Sequence, residues 1–262
     1  MAAESDPFTA ESAAITNWPF VYPDTGPERA GIEHISSRLR GGTIGIIGAG
    51  GTGSVVTDLM AKTPVDCIVL IDGDVMEAHN AYRAPGAAAA SAIAGSPFKV
   101  DYLREIYSNL HRGIVAHAVH LGPENFELLD GVDFIFLCID SAWVRGLIIP
   151  ELERRELPFV DCGLGIELSG DSLTGMIRVT TSLPSDRSES AAIPTLSGAE
   201  ADLYRTNIQV ADLNMLAATL AVIQYKQMRG FYADCGGEAH MVYRVEDNEL
   251  LNVHERAPGL GQ

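Results

Sequence analysis

Four glycines stand within six positions, directly after an apolar run. They are Gly48, Gly50, Gly51 and Gly53, in the pattern G-x-G-G-x-G. A loop of this kind, between a predicted strand and a predicted helix, lets backbone N–H groups and the positive helix end face an anion without obstruction by Cβ atoms. By itself the loop predicts either a site for a nucleotide phosphate or a tight strand-to-helix turn without a ligand.

Two carboxylates end strands that would carry the same site. Asp72 ends an apolar run 19 residues after Gly53, where a carboxylate accepts hydrogen bonds from ribose hydroxyl groups. NAD and ATP are both compatible with that position. Asp140 ends the predicted strand 132–140, so it should lie at the same carboxyl edge of a parallel sheet. The alternative role of Asp140 is to cap the helix that follows.

Two cations, Arg83 and Lys99, stand between those carboxylates in the sequence. Lys99 falls in the first turn of a helix whose predicted N-cap is Ser96, where it opposes the helix dipole unless a bound anion offsets the cost. Alone, Lys99 is explained as a solvated charge, and Asn80, near Arg83, as a turn residue. Together with Asp140 and the glycine loop, these side chains favour a triphosphate and its Mg²⁺ over a dinucleotide.

The elements that must position these residues alternate between strands and helices. A strand at 43–48, a helix at 51–62 and a strand at 67–72 form a βαβ unit. Later segments repeat the alternation, and a polar stretch at about 182–206 is predicted to cross the surface as a loop before an apolar helix and a hairpin. The predicted fold is α/β, a doubly wound Rossmann-like mixed sheet with flanking helices, a crossing loop and a C-terminal hairpin.

Bulk composition limits the function classes. The 262 residues carry 18 Lys and Arg against 35 Asp and Glu, a net charge of −17. This charge repels polyanions, so a nucleic acid or an anionic membrane is disfavoured and a basic or neutral protein partner is favoured. There is no signal-peptide pattern and no run of about 18 apolar residues, which predicts a cytoplasmic chain without a membrane span.

The four cysteines are far apart and never form Cys-x-x-Cys. They are Cys67, Cys138, Cys162 and Cys235. The first three lie in or just after apolar runs, which is typical of reduced, buried thiols, so neither a disulfide framework nor structural zinc is expected. Cys138 and Cys162 are expected to serve packing. Cys235, in "YADCGG", is the candidate for an exposed thiol but is not expected to form a thioester.

Five motifs stand in the order and approximate spacing of one protein superfamily. They are "GAGGTG", "LIDGD", "NAYR", "GSPFKV" and "CIDS". Over about residues 29–231 the chain resembles the ubiquitin-activating-enzyme-like superfamily, which includes adenylyltransferases for sulfur-carrier proteins. The resemblance implies an N-terminal extension over 1–28, an adenylation domain over 29–235 and a C-terminal hairpin and tail over 236–262.

The resemblance also implies a role for each candidate residue. The ribose would be held by Asp72 and Asp74, the phosphates of ATP by Asn80, Arg83 and Lys99, and Mg²⁺ by Asp140. The implied reaction is attack by a protein's C-terminal carboxylate on the α-phosphate, which yields an acyl-adenylate and pyrophosphate and requires positioning and charge neutralisation. A homodimer is implied as well, in which an N-terminal arginine enters the neighbour's ATP site; Arg29 lies nearest to the expected place.

The chain departs from the superfamily at informative positions. Ala84 stands where a glutamine usually follows the arginine, and the paired Cys-x-x-Cys zinc site of many sulfur-carrier enzymes is missing. This favours stand-alone bacterial members of ubiquitin-like conjugation pathways, whose activated partner ends in Gly-Gly. No cysteine stands between Gly163 and Cys235. The activated tail is therefore expected to remain an adenylate until a downstream transfer protein takes it.

Three alternatives stay open. The first is a sulfur-carrier adenylyltransferase. The second is adenylation of a peptide or tRNA carboxylate within the same superfamily, although the net charge of −17 argues against tRNA. The third is a non-catalytic nucleotide-binding scaffold, which is disfavoured because Arg83, Lys99 and Asp140 are all present.

Overall fold

An eight-stranded mixed sheet organises the described residues, 18–195, 208–234 and 239–252, of this computed structural model. Its strands are β1 (Thr43–Ile47), β2 (Cys67–Ile71), β3 (Ile114–His117), β4 (Phe134–Leu137), β5 (Phe159–Ser169), β6 (Ser172–Ser182), β7 (His240–Arg244) and β8 (Glu249–Asn252). The α-helices are α1 (Gly26–Ala30), α2 (Glu33–Ser36), α3 (Gly51–Ala61), α4 (Ala78–Ala81), α5 (Ala90–Ala94), α6 (Lys99–Tyr107), α7 (Ala142–Arg154) and α8 (Ala211–Met228).

The strand order places a reversal beside the glycine loop. The order is β3-β2-β1-β4-β5-β6-β7-β8, parallel from β3 to β5 and antiparallel from β5 to β8. The chain builds outward from β1 to β3 and then returns to form β4 on the other side of β1. In open sheets of this kind, ligands bind outside the carboxyl ends of the strands at such a reversal. The predicted doubly wound, Rossmann-like mixed sheet is confirmed.

Two apolar cores cover the two faces of the parallel strands. Ile44 and Ile46 of β1 belong to the core that contains residues of α3, α6 and α8. Ile47 points to the other face and belongs to the core that contains Ile148 and Leu152 of α7. Successive side chains of a strand point to opposite faces, so a strand covered on both sides needs a continuous apolar run. This explains why the central strands could be located from hydrophobicity.

The sequence predicts two short strands, in "LPFVDCG" and "GMIRVTT", where the structure has one long hairpin. β5 and β6 pair over eleven residues each, from Phe159 opposite Ser182 to Ser169 opposite Ser172. Gly170, in the two-residue connection, has a φ of 61°, a left-handed conformation that glycine adopts without strain. The outer part of the hairpin is exposed, so it carries no buried-strand pattern. β7 and β8 form the predicted C-terminal hairpin and extend the sheet beyond β6.

The predicted helix cap before Lys99 is wrong. Ser96 has a φ of 45°, and the N-cap of α6 is Phe98, so the helix begins at Lys99 itself. The reason is a backbone pairing between distant segments: Val75 bridges to Phe98, and the N–H of Lys99 donates to the carbonyl oxygen of Asp74 at 2.9 Å. This pairing holds Phe98 in an extended conformation, so the helix starts after it. Lys99 nevertheless lies in the first turn, as predicted.

The predicted crossing loop starts where β6 ends. It contains a 3₁₀ turn at Ser188–Ala192, and residues 196–207 lie outside the described ranges. The apolar helix predicted after it is α8. None of the helices within the described ranges is long and apolar enough to cross a membrane.

Candidate functional site

The glycine loop turns sharply between β1 and α3. Gly48 has a φ of 89°, and a Cβ there would lie 2.5 Å from the carbonyl oxygen of Cys138, just after β4. A Cβ on Gly53 would overlap the carbonyl oxygen of Gly48. Gly50 is different, because no described atom beyond its chain neighbours lies within 4 Å of a Cβ built there. The loop is therefore packed against protein at Gly48 and Gly53 and open at Gly50.

Asp72, directly after β2, holds this loop through a side-chain hydrogen bond. Its Oδ2 accepts a hydrogen bond of 2.6 Å from the N–H of Ala49, and its Oδ1 accepts one of 2.8 Å from the N–H of Asp74. The side chain is buried. Hydrogen bonds to an ionised carboxylate are short and strong. Asp72 therefore fixes both the glycine loop and the turn that follows β2.

Lys99 brings a buried cation to the same place. Its Nζ lies 2.6 Å from Oδ2 of Asp74 and 3.9 Å from Oδ1 of Asp72. Only 9% of the residue is exposed. A cation at the start of a helix opposes the helix dipole, so the two carboxylates hold Lys99 where the helix alone disfavours it.

Arg83 adds a second cation from the loop after α4. Its Nε is buried and has no hydrogen-bond partner in the part of the chain that the structure describes. Burial lowers the pKa of this guanidinium, and the charge of Asp140 acts in the opposite direction. A buried N–H without an acceptor costs free energy that a ligand oxygen would recover.

Asp140 lies past the end of β4, which is shorter than predicted and stops at Leu137. Helix α7 is capped by Ser141, whose hydroxyl oxygen accepts a hydrogen bond of 3.3 Å from the N–H of Val144. The capping alternative for Asp140 is therefore wrong. Asp140 is exposed and lines a cavity at the carboxyl ends of the parallel strands.

A cavity of about 530 Å³ joins these groups at the carboxyl ends of β1, β2 and β4. Its wall contains most of the predicted site residues, namely Gly48, Gly50, Gly51, Asp72, Asp74, Arg83, Lys99 and Asp140. The loop 120–124, the first turns of α7 and Asn214 of α8 complete much of the wall. This size and the mixture of apolar surface with a few convergent polar groups are typical of a small-molecule site.

Three predicted site residues are not among those lining the cavity. Gly53 lies inside the first turn of α3, behind the loop. Asn80 is buried in a capping box, where its Oδ1 accepts a hydrogen bond of 2.9 Å from the N–H of Glu77. Arg29 is exposed on α1 of its own chain. Asn80 thus has a role in the turn, while its predicted contact with phosphate and a role of Arg29 in a neighbouring chain stay predictions.

Asn214 is a residue of the wall that the sequence analysis missed. It is 1% exposed; its Oδ1 accepts a hydrogen bond of 2.8 Å from Thr52 Oγ1, and its Nδ2 donates one of 2.8 Å to the carbonyl oxygen of Val210. A Cβ on Gly51 would lie 2.6 Å from its carboxamide. Asn214 therefore ties α8 to the first turn of α3. The sequence feature that could have identified Asn214 is its position as a polar residue within a mainly apolar helix.

Arg145 of α7 is a second residue that sequence reasoning missed. It lines the cavity, and its Nε donates a hydrogen bond of 2.8 Å to Oδ1 of Asp161 in β5. Both side chains are buried, and Arg178 of β6 donates to the other oxygen of Asp161 at 2.6 Å. The signal in the sequence was a pair of charged residues, Arg145 and Asp161, each within a mainly apolar segment.

Two thiols also lie in the wall. They belong to Cys138 and Cys162. The pKa of Cys138 is raised well above its ordinary value, mainly by the hydrogen bond with Cys162 and secondly by burial. Burial is the main cause that raises the pKa of Cys67. Protonated thiols are poor nucleophiles, which supports packing roles for Cys138 and Cys67. Cys235 lies outside the described residues.

The acidic residues of the wall do not form a metal cage. Among the described residues, no group of three or more His, Cys, Asp and Glu side chains is arranged to hold a metal ion. Mg²⁺ that accompanies a nucleotide takes only one or two protein carboxylates and binds phosphates and water besides. Asp140, in the wall and close enough to Arg83 to affect its pKa, fits that limited role.

Known proteins resemble this chain in sequence. The relative "Adenylyltransferase and sulfurtransferase uba4" from Pyricularia oryzae is 31% identical over 167 residues, which are 56% of this chain and 33% of that protein. The chain therefore covers only about a third of the length of this relative.

Solved structures resemble the fold. Escherichia coli MccB with MccA-N7isoASN has a TM-score of 0.69 at 15% identity, covering 91% of this chain and 73% of that chain. E. coli MccB with ATP has a TM-score of 0.65 at 16% identity, covering 86% and 66%. At these identities the likeness concerns the fold alone. Residues 26–196, more than half of the sequence, match the ThiF family, and the chain therefore belongs to the ThiF family.

Proposed function

We propose that this chain is an ATP-dependent adenylyltransferase that activates the C-terminal carboxylate of a ubiquitin-like protein ending in Gly-Gly. The observation that carries the proposal is the buried Nε of Arg83, which has no acceptor among the described residues and belongs to a residue in the same cavity wall as Lys99. An anion rich in acceptor oxygens is the ligand that such a wall suits. The family match and the name of the fungal relative support adenylyl transfer.

The nucleotide would lie along the carboxyl ends of the strands, from β2 towards β4. Asp72 at the β2 side suits the ribose, and the N-terminus of α3 at Gly50 suits the phosphates. Arg83 and Lys99 would neutralise phosphate charge. Asp140 would hold Mg²⁺, which supplies further charge neutralisation when bound.

The reaction depends on positioning of the two substrates and neutralisation of phosphate charge more than on proton transfer. An oxygen of the tail carboxylate attacks the α-phosphorus, the bond from that phosphorus to the bridging oxygen breaks, and pyrophosphate leaves with the electron pair. The carboxylate is already ionised near neutral pH, so no side chain has to remove a proton. Arg83 and Lys99 would stabilise the charge that develops on the phosphate oxygens.

The proposal also covers the oligomeric state of the chain and the fate of the acyl-adenylate. We infer a homodimer in which Arg29, exposed on α1, enters the partner's cavity. The adenylate is then consumed by a nucleophile on a downstream protein, because Cys162 in the cavity wall is buried and the pKa of Cys138 is raised.

A sulfur-carrier protein is the second candidate partner. It is favoured by the relative whose name joins an adenylyltransferase with a sulfurtransferase. This alternative uses the same cavity and the same first step, and it differs only in the protein activated and in what happens to the adenylate.

Exchange of labelled pyrophosphate into ATP tests the proposal. Small proteins of the ubiquitin-like and sulfur-carrier classes that end in Gly-Gly are added one at a time, and each is compared with a form that lacks the two glycines. We expect exchange only with an intact tail, and the protein that stimulates it decides between the two candidates. Exchange that ignores the tail, or none with either class, contradicts the proposal.

A further inference from the structure

The β5 end of the cavity contains a buried cluster with an excess of positive charge. Arg145, Asp161 and Arg178 are 5%, 0% and 8% exposed. Oδ1 of Asp161 lies 2.8 Å from Nε of Arg145, and its Oδ2 lies 2.6 Å from Nη2 of Arg178. One carboxylate therefore balances only one of two guanidinium charges. Buried charge is costly unless an opposite charge meets it, so this cluster suits an anionic ligand.

Arg145 is the member of the cluster that lines the cavity. Its Nε is held by Asp161, and its Nη2 donates a hydrogen bond of 3.1 Å to the carbonyl oxygen of Cys162. Nη1 has a long contact of 3.5 Å with the carbonyl oxygen of Asp140. A guanidinium has five N–H donors in a fixed plane, so the ring of contacts orients the group and leaves donor capacity on Nη1.

Arg178 supports Asp161 from the far side. Its Nη1 donates a hydrogen bond of 2.9 Å to Thr180 Oγ1, and a Cβ on Gly163 would lie 2.7 Å from its Nη2. Only glycine at residue 163 therefore leaves room for this guanidinium as it stands. The arrangement fixes Asp161, and Asp161 in turn fixes Arg145.

The cluster lies away from the ribose end of the proposed nucleotide site. In the sheet, β2 and β5 are separated by β1 and β4, three strand spacings or roughly 14 Å. The wall of the same cavity also contains Trp143 of α7 and Leu164 of β5, whose side chains are mainly apolar. A nucleotide whose ribose lies at β2 would leave this end for the second substrate.

We propose that Arg145 binds the terminal carboxylate of the acyl substrate, and that Asp161 and Arg178 are positioning residues for its guanidinium. One carboxylate oxygen would accept from Nη1 while the other attacks the α-phosphorus. The inference rests on the proposed function, because it assigns the second substrate of the same cavity. The ligand class is a peptide chain with a free C-terminal carboxylate.

Fluorescence of Trp143, which also lines the cavity, offers a direct binding test. The probes are a synthetic peptide ending in Gly-Gly and its C-terminal amide, each titrated in the presence of a non-hydrolysable ATP analogue. We expect the wild-type protein to bind the acid at least about tenfold more tightly than the amide. Arg145→Lys and Asp161→Asn should reduce this ratio to near unity, with the affinity for ATP changed by less than about threefold.

Arg154→Lys is the matched control, since Arg154 is an exposed arginine of the same helix. The ratio of acid to amide affinity is measured within one protein, so it stays informative when a variant is partly unfolded. The inference is overturned if the wild-type protein prefers neither peptide or binds neither, if Arg145→Lys keeps the wild-type ratio, or if that variant loses ATP affinity instead. Pyrophosphate exchange of the wild-type protein reports separately on the proposed function.

Discussion

Gly53 packs directly against the carbonyl oxygen of Gly48, so closely that a Cβ atom at residue 53 would overlap that oxygen. The first turn of α3 and the start of the glycine loop are thus joined by a backbone contact without room for a side chain. Gly50, between them, faces open space in the described structure and lines the cavity. Glycine therefore serves packing at residue 53, and the proposed function gives Gly50 a role in ligand access.

Alanine substitutions should separate these two roles. Gly53→Ala should lower the free energy of unfolding by about 3 kcal/mol or more, because the overlap is with backbone that cannot move away. Gly50→Ala should change it by less than about 1 kcal/mol and weaken ATP binding by about tenfold or more, because the methyl group enters the cavity. Urea unfolding and ATP titration measure both effects. A stable Gly53→Ala protein, or a Gly50→Ala protein with unchanged ATP affinity, would show the roles to be misassigned.

His111 makes a pH-dependent contribution to stability. The N–H of Gly113 donates to its Nδ1 at 3.1 Å, and its Nε2 lies 3.0 Å from the carbonyl oxygen of Val65, a pattern that assigns a neutral ring. Burial lowers the pKa of His111, against smaller opposing effects of the Val65 hydrogen bond and of Asp66. The unfolded chain therefore takes up a proton first. Stability is complete above a pH of about 6.5 and falls below it, by at most about 1.4 kcal/mol per pH unit.

Urea unfolding between pH about 7.5 and 5.5 tests this contribution. His111→Asn removes the titrating ring and should show a smaller loss of stability across the range than the wild-type protein. His79→Asn is the control, because the His79 side chain is exposed beside Glu77. Equal pH dependence in the wild-type and His111→Asn proteins would contradict the lowered pKa.

No thioester should form on this chain during the reaction. The raised pKa of Cys138 and the burial of Cys162 disfavour both thiols as nucleophiles, and no cysteine stands between residues 163 and 235. Denaturing gels of enzyme, ATP and partner, run with and without thiol, should show no thiol-labile adduct. An adduct that disappears in Cys162→Ala or Cys235→Ala protein would refute this prediction, and a thiol-resistant, hydroxylamine-labile adduct would point to a loop serine or threonine.

Mixing of inactive variants tests the predicted dimer. Arg29 is exposed on its own chain, and Lys99 lies in the cavity wall. In the predicted dimer, each active site combines Lys99 of one chain with Arg29 of the other. Arg29→Ala and Lys99→Ala proteins should each be inactive, and their mixture should regain about a quarter of wild-type exchange, because one of the two sites in a mixed dimer is intact. Lack of recovery despite demonstrated subunit exchange would place Arg29 outside the mechanism.

Part of the site could be predicted because its signals are local. Gly48 and Asp72 end contiguous apolar runs, and strand ends of a parallel sheet share one edge. Lys99 lies in the first turn of a predicted helix, and both Lys99 and Arg83 line the cavity. These residues could be placed without knowledge of distant contacts.

The rest depends on packing between distant segments. Asn214 and Arg145 reach the cavity from helices whose own sequences look like core, so only the tertiary arrangement makes them part of the wall. The error at Ser96 has the same cause, since the start of α6 is set by pairing between Val75 and Phe98. Hydrophobic patterns locate elements, whereas contacts of this kind decide which polar side chains share a site.

Pyrophosphate exchange by Lys99→Ala protein, with a stimulating Gly-Gly protein, tests the central claim most directly. Lys99 is a buried cation of the wall, and loss of one such charge contact should slow exchange by about 100-fold or more, as should Arg83→Ala and Asp140→Ala. Lys62→Ala is the control, because Lys62 is an exposed lysine paired with Asp58. We expect this loss in the three variants and near wild-type exchange in the control. Folded Lys99→Ala protein that retains near wild-type exchange would contradict it.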